Sequence, residues 1–354
     1  MPQRALITGI AGQDGAYLAK FLLAKGYEVY GTYESDYAPN LWRLTELGIV
    51  DHIQMQQLDL RSERSCKKLL FDVRADEMYN LETQSYISVS FEKPVATGEI
   101  TGLGVVRLLE AVRAVDPSIA FFQASSSEMF GKALEVPQTE NTRFYPRSPY
   151  AIAKLYAHWT VVNYREVYDL CACSGILFNH ESPLREQEFV TRKISVSVAK
   201  VKQGLQEKLL LGNINVRMDW GYAPEYVEAM WLMLQQRPVD DYVIATGRAH
   251  SVRDFVSAAF RVVDMELVWE GQREDEKGIE KKTGRVLVEI DSRLFRPSDS
   301  SVFVGDASKA REKLGWDPRT SFEDLVEIMV QEDLRRIKFG SIDASLTPSP
   351  ALNL

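Results

Sequence analysis

Residues 5–15 read Ala-Leu-Ile-Thr-Gly-Ile-Ala-Gly-Gln-Asp-Gly, and this stretch decides the fold. Ala5–Thr8 is an apolar run of strand character. A helix follows over Gly15–Gly26, where Leu18, Phe21 and Leu22 recur at i, i+3 and i+4. Between them stand Gly9, Gly12 and Gly15, three residues apart. Gly9 permits the tight turn. Gly12 lets the backbone approach a pyrophosphate seated on the unpaired amides of the helix N-terminus. Gly15 lets the helix pack closely on the strand. At this position, after a first strand, the pattern points to dinucleotide binding, with Gln13 and Asp14 in the same loop.

Working outward, the pattern repeats. Tyr27–Tyr33, Ile53–Leu58, Met78–Leu81 and Ala120–Ala124 read as strands. The spacing predicts helices over Cys66–Val73 and Leu103–Val115. Further on, Tyr150–Tyr168 and Pro224–Gln235 read as helices, and Ala172–Phe178 and Asp241–Ala245 as strands. Strands separated by helices imply right-handed crossovers and a doubly wound parallel sheet, a Rossmann-type α/β fold. The 354 residues suffice for roughly two units. We place the dinucleotide-binding domain at 1–178 plus 218–246. A smaller α/β substrate-binding lobe takes 179–217 plus 247–338, and 339–354 form a loose tail. The charged stretch Trp269–Arg285 reads as a solvated surface loop.

Composition narrows the function. A net charge of −8 argues against a nucleic-acid partner, which needs a basic face. No apolar run reaches the ~18 residues of a membrane span, and no signal peptide is visible. Cys66, Cys171 and Cys173 lack zinc-site spacing and read as free thiols, so a cytoplasmic protein without a metal is expected.

The chemistry concentrates in two segments. Tyr150 and Lys154 lie four apart at the start of a helix, on one face, with Cβ atoms ~6 Å apart. An ammonium there is expected to lower the tyrosine pKa and make the phenol a general acid/base. Ser125-Ser126-Ser127-Glu128 follows a strand and reaches the same carboxyl edge of the sheet. Ser126 can hydrogen-bond the hydroxyl that Tyr150 deprotonates. Asp59 and Leu60, ending the third strand, suit the adenine edge of a cofactor. Glu34, just past the second strand, suits the ribose 2′-hydroxyl of NAD and would repel the 2′-phosphate of NADP.

These motifs together resemble the extended short-chain dehydrogenase/reductase family acting on nucleotide-activated sugars. Finer blocks resemble its GDP-mannose 4,6-dehydratase branch. They include Phe144-Tyr145-Pro146-Arg147-Ser148-Pro149-Tyr150, Asn179-His180-Glu181-Ser182-Pro183, Phe189-Val190-Thr191-Arg192-Lys193, Asp219-Trp220-Gly221 and Phe295-Arg296-Pro297. The resemblance runs from about residue 4 to about residue 337. It implies internal hydride transfer from C4 to C6 of a GDP-linked manno-configured sugar, leaving a 4-keto-6-deoxy product. Tyr150 with Lys154 would take the 4-hydroxyl proton, Glu128 the C5 proton, and Ser126 and Ser127 would assist. Leu81 would join the cofactor contacts. Ser85, Asn179, Glu181, Val190, Arg192, Lys193, Arg217, Arg296 and Asp299 would hold the substrate. The alternatives are a 4-epimerase or 4-reductase of the same superfamily, which need no base at C5, and a non-catalytic sugar-nucleotide binder. A homo-oligomer, dimer or tetramer, is implied as well.

Several positions depart from that branch. Glu34-Ser35-Asp36 replaces an Ala-Arg-Arg segment, and Leu41 replaces another arginine. Glu82 replaces an alanine, Glu186 a glycine and Met218 an arginine that pairs with the nucleotide phosphates. Ser126 takes the place of a threonine. The segment around Glu34 favours NAD, with NADP the family's alternative and Arg43 the one cation still able to reach a phosphate.

Overall fold

The computed structural model describes residues 2–34, 40–294 and 302–340. Ser35, Asp36, Arg296 and Asp299, and all but the first two residues of the proposed tail, lie outside the described residues.

Seven parallel strands form the main sheet, in the order Tyr242–Ile244, Ala172–Leu177, Ala120–Ser126, Glu77–Asn80, Arg4–Thr8, Glu28–Tyr33 and Ile53–Gln57. The α/β doubly wound expectation holds. The inner strands are short and largely apolar because both faces are covered, whereas the edge strand Ile53–Gln57 carries three glutamines. One face packs Ile7, Val29, Tyr79 and Phe122 against helices Gln13–Ala24 and Ala223–Leu234. The other packs Leu6, Met78 and Phe121 against helices Glu63–Val73 and Gly104–Val115. Helix Pro149–Tyr168 starts with Pro149 at its first position and Ser148 as cap, its Oγ accepting from the Ala151 amide at 3.1 Å. That cap sets where Tyr150 begins.

A second core gathers Ile194, Leu209, Trp220, Phe255, Leu287 and Met329. Helices Val190–Lys202, Val252–Val262 and Phe322–Lys338 enclose it, together with two small sheets. One sheet joins Ala249–Ser251, Arg217–Tyr222 and Asn179–Glu181. The other joins Leu267–Glu270, Lys277–Glu280, Val286–Ile290 and Leu209–Leu211. The stretch Trp269–Arg285 is therefore not a plain surface loop. Trp269 pairs with Gly278 in an antiparallel hairpin. Trp269 and Leu267 pack against the second core, and the buried Glu276 and Glu280 are held by Arg253 and Thr283.

Arg192 is fully buried in this second core and paired with Asp333, also fully buried, from helix Phe322–Lys338. Asp333 also accepts from Ser195 Oγ at 2.7 Å. Removing one partner strands a charge in a place water does not reach. Asp333→Ala should cost ~3–5 kcal/mol of unfolding free energy in a urea titration. The double change Arg192→Met with Asp333→Leu should cost clearly less. Equal losses would mean that the pair contributes nothing specific.

Candidate functional site

The carboxyl ends of the parallel strands Arg4–Thr8, Glu77–Asn80 and Ala120–Ser126 meet the start of helix Pro149–Tyr168. Ser126 ends its strand, and its Oγ accepts from the Glu128 amide at 3.2 Å. The same hydroxyl is close enough to the Tyr150 phenol to lower its pKa. Glu128 is half-buried and lies within electrostatic range of that phenol. Ser126, Glu128 and Tyr150 thus form one cluster. Ser127 does not join it: it is buried in the wall, and its carbonyl accepts from the Phe130 amide at 3.0 Å.

Lys154 is 2% exposed, and its Nζ donates to the Ala124 carbonyl at 2.7 Å. The amine sits 5.7 Å from the centre of the Tyr150 ring. Burial lowers its pKa to about 8, against the pull of the Asp14 charge. The expectation that Lys154 depresses the Tyr150 pKa needs correcting. Burial raises the phenol above its ordinary value, and Glu128 raises it further; only the Ser126 hydroxyl and Arg185 oppose this. The amine points at a backbone carbonyl, so burial of the phenol outweighs it.

The glycine loop is built as the spacing requires. Gly9 has a φ of +70°, and a Cβ on Gly15 would lie 2.4 Å from the Gly9 carbonyl. Helix Gln13–Ala24 has Gly12 at its N-cap and no side-chain cap, so its first amides remain available to an anion. Nearby, Gln84 is buried with neither side-chain amide atom hydrogen-bonded. An uncapped helix start over a glycine cradle, beside an orphaned buried amide, fits a dinucleotide. The Gln13 side chain is committed elsewhere: Nε2 donates to the His180 carbonyl at 3.1 Å, and Oε1 accepts from Ser182 at 2.7 Å. Only its backbone faces the ligand side.

The adenosine end lies at the neighbouring strand ends. Glu34 pairs with Arg61 at 2.8 Å, and Arg61 also binds Asp59 at 3.1 Å. Burial raises the Asp59 carboxyl, but hydrogen bonds from Arg61 bring it below its ordinary value. Asp59 stands two residues past the end of strand Ile53–Gln57, Leu60 is buried and Leu81 half-buried. Arg43 is not free to reach a phosphate. It donates to the carbonyls of Leu184 at 2.7 Å and Ala11 at 2.9 Å, and pairs with Glu186 at 2.9 Å.

The expected substrate residues divide. Asn179, Ser85, Val190 and Lys193 are half-buried. Asn179 Nδ2 contacts the Met218 sulfur at 2.9 Å. Arg217 is exposed, and its Nη2 donates to the Ala249 carbonyl at 2.7 Å. It sits on the opposite face of its strand from Met218, so it does not stand in for the missing arginine. Two of these expectations need correcting. Arg192 holds Asp333 inside the second core and cannot touch a ligand without unfolding that pair. Glu181 is 2% exposed and holds Thr191 and Arg185, so it orients rather than contacts.

Sequence reasoning missed Arg185 and His180. Arg185 sits between Glu181, Glu186, Asp14 and Tyr150, with its guanidinium 3.6 Å from the Phe189 ring centre. Its Nε lacks a hydrogen-bond partner. His180 Nε2 lies 2.9 Å from Asp14, while Nδ1 lies 2.7 Å from the Phe178 carbonyl. The signal was their place in the Asn179–Pro183 block and just after it, which gave no roles.

The chain matches the family model described as GDP-mannose 4,6 dehydratase over residues 6–329. It is 47% identical over 345 residues to the GDP-mannose 4,6 dehydratase of Dictyostelium discoideum, covering 95% of this chain and 97% of the relative. It is 46% identical over 352 residues to the GDP-mannose 4,6-dehydratase of Vibrio cholerae, covering 95% of each. Two solved structures share the fold. The dTDP-glucose 4,6-dehydratase from Bacillus anthracis in complex with NAD superposes with TM-score 0.77 at 20% identity, over 95% of this chain and 98% of that one. RMD from Pseudomonas aeruginosa complexed with NADPH superposes with TM-score 0.74 at 21% identity, over 94% and 99%.

The Asp14–His180 pair should be visible to titration. Burial alone would raise Asp14, yet the charge and hydrogen bond of His180, with help from Arg185, lower it to about 2 from 3.8. Burial lowers His180, but Asp14 reverses this and leaves it above 6.5. The depressed Asp14 contributes stability above pH 3.8 that is lost as pH falls towards 2. The raised His180 contributes stability below pH 6.5 that is lost as pH rises through its folded value. Asp14→Asn should therefore lower the His180 midpoint in an NMR titration. An unchanged midpoint would remove Asp14 as its partner.

Proposed function

The chain belongs to the GDP-mannose 4,6-dehydratase family, and from that premise we propose that it is a hydro-lyase. Its substrate is a GDP-linked, manno-configured sugar, and its product is the 4-keto-6-deoxy sugar nucleotide. The observation that carries the reading is the joint position of Glu128, Ser126 and Tyr150, a base, a hydroxyl and a phenol around one point. A 4-epimerase or 4-reductase would need no base beside the phenol.

A dinucleotide held over Gly9, Gly12 and Gly15 would supply a nicotinamide as acceptor of hydride from C4 and donor of it to C6. The Tyr150 phenolate takes the proton of the sugar 4-hydroxyl, and Ser126 orients that hydroxyl. Burial makes the phenol a weak acid, so a cation is needed to ionise it; Arg185 is the cation that lowers it, while Lys154 is held on the Ala124 carbonyl. Oxidation at C4 acidifies C5, and Glu128 removes the C5 proton. The C6 hydroxyl then leaves as water with the proton Glu128 took, and C5 of the resulting enone is reprotonated from solvent as hydride returns to C6. Arg185, held by Glu181, is placed to meet a phosphate. Asn179, Ser85, Val190 and Lys193 remain our candidates for the sugar-nucleotide contacts. Met218 leaves that pocket one guanidinium short of the family pattern.

The cofactor we assign is NAD. Arg43 is spent on the Ala11 and Leu184 carbonyls and Glu186, while Glu34 stands at the ribose end. Titration of the chain with each dinucleotide should give the lower dissociation constant for NAD. Tighter binding of NADP would overturn this assignment.

No helix among the described residues is long and apolar enough to cross a membrane. Three free thiols, Cys66, Cys171 and Cys173, fit a cytoplasmic setting, which fractionation tests. A second copy of the chain is the partner we assign to one apolar face. Ile152, Tyr156 and Trp159 on helix Pro149–Tyr168 and Phe91 beside it are each half or more exposed. A patch of that kind is uncommon on a monomer. A monomer in sedimentation at micromolar concentration would count against it.

The catalytic reading predicts a labelling pattern. Incubation with GDP-mannose in D2O should place deuterium at C5 of a 4-keto-6-deoxy product. Glu128→Gln should lower turnover by ~10²–10⁴ while binding cofactor normally. A variant keeping a third of the activity would remove Glu128 from the mechanism. A 4-epimer that retains its C6 oxygen would move the chain to the epimerase class.

A further inference from the structure

Glu82 follows strand Glu77–Asn80, and Glu34 follows strand Glu28–Tyr33. Strand Arg4–Thr8 lies between those two, so the two glutamates straddle the point where the glycine loop begins. The Glu82 backbone is fixed there. Its amide donates to Thr8 Oγ1 at 3.2 Å, and a Cβ on Gly9 would come within 3.0 Å of that amide nitrogen. The Glu82 carboxyl lies against the Gly9 backbone amide and in electrostatic range of Glu34. Arg61 serves Glu34 and Asp59 together, and no ion pair reaches Glu82 among the described residues.

We infer that Glu82 is a second specificity-determining residue of the cofactor site: with Glu34 it brackets the adenosine ribose and disfavours a phosphate carried on that sugar. The inference rests on the NAD assignment above and extends it to a residue at which the family has alanine. A carboxylate accepts hydrogen bonds from a ribose diol. It repels a phosphate dianion. Two carboxylates on either side of one strand end apply that repulsion from two directions. One guanidinium, already shared by Glu34 and Asp59, cannot cancel three acids.

The geometry also gives the selection a pH dependence. The groups facing Glu82 are Glu34 from the second strand and the Gly9 amide from the loop, with Arg61 and Asp59 beyond Glu34. Burial, then the Glu34 charge, push the Glu82 carboxyl up to about 7, while the Gly9 amide holds it down. Below that value Glu82 is neutral and tolerates a phosphate better. Above it the carboxylate is charged and exclusion strengthens.

The test is calorimetric titration of the full chain with NAD and with NADP at pH 6 and pH 8.5. The proteins are the parent chain, Glu82→Gln, Glu82→Ala and Glu34→Gln. The NADP-to-NAD ratio of dissociation constants should rise with pH in the parent. At pH 8.5 it should fall roughly fivefold in Glu82→Gln and in Glu82→Ala, mainly through tighter NADP binding. Most of its pH dependence should go with it. The residue that remains is the phosphate's own titration, seen against the neutral glutamine. Ratios unchanged in both Glu82 variants would overturn the inference, and a change in Glu34→Gln alone would leave the NAD assignment standing without it. A parent chain that prefers NADP sinks the assignment. In that case a further gain of NADP affinity in Glu82→Gln would still support the role of Glu82.

Discussion

The constraint on which the site depends is the approach of helix Gln13–Ala24 to the strand before it. A Cβ on Gly15 would lie 2.4 Å from the Gly9 carbonyl and 2.6 Å from the Ile10 Cα, so only glycine allows the helix to start there. That start puts unpaired amides over the carboxyl edge of the sheet. It also sets three long-range ties. Arg43 reaches the Ala11 carbonyl, Ser182 reaches Gln13, and His180 reaches Asp14. The last two fix the segment 179–185, which carries Asn179 and Arg185. The cofactor turn therefore positions residues more than 160 places away, and the sugar-nucleotide pocket inherits its geometry from the glycine spacing.

Charge in this molecule is placed by the need for partners. Arg192 and Glu181 stand in motifs that read as ligand contacts, yet both are buried and paired within the protein. A buried charge without a partner costs several kcal/mol, so a motif must also contain the groups that hold its functional side chains still. Glu181 holds Arg185, and Arg185 acts on the Tyr150 phenol. The chain of influence runs from a fully buried acid to the reacting oxygen. Arg192 serves a different end: it ties helix Val190–Lys202 to helix Phe322–Lys338 inside the second core.

Sequence pattern made the first half legible for a physical reason. Parallel strands covered on both faces are short apolar runs, and the helices between them carry a 3.6-residue stripe. The second half hid because Asn179–Glu181, Leu209–Leu211 and Ala249–Ser251 are three residues each, too short for any period to register. The hairpin over Leu267–Glu280 hid behind its charges, since acidic residues fall on both of its faces and two of them, Glu276 and Glu280, are buried. At the site, i to i+4 spacing gave the nearness of Tyr150 and Lys154 but not the direction of the amine. Backbone spacing fixes Cβ positions; the Ala124 carbonyl, thirty residues upstream, decides where the nitrogen goes. His180 and Arg185 carried no pattern of their own, because a lone histidine or arginine reads the same whether it is paired inside or exposed.

The departures from the family share a sign. Glu34, Glu82 and Glu186 each add a carboxylate, and Met218 removes a guanidinium. Two of the three acids are matched by arginines. Arg61 takes Glu34 and Arg43 takes Glu186, and in doing so each arginine leaves the pool of cations free to meet a phosphate. Thus an added acid acts twice: it contributes its own negative charge and occupies a positive one. On the NAD assignment proposed above, this weakens the electrostatic case for an extra ribose phosphate while leaving the helix amides to hold a pyrophosphate, which depends on backbone and not on side-chain charge. The proposed reacting groups Ser126, Glu128, Tyr150 and Lys154 take their positions from the strand Ala120–Ser126 and the helix Pro149–Tyr168, and of the added acids Glu186 faces their neighbour Arg185. Charge at the ligand's periphery has shifted on a scaffold whose reacting centre is held independently, which is the arrangement expected if binding preference and chemistry are carried by different elements.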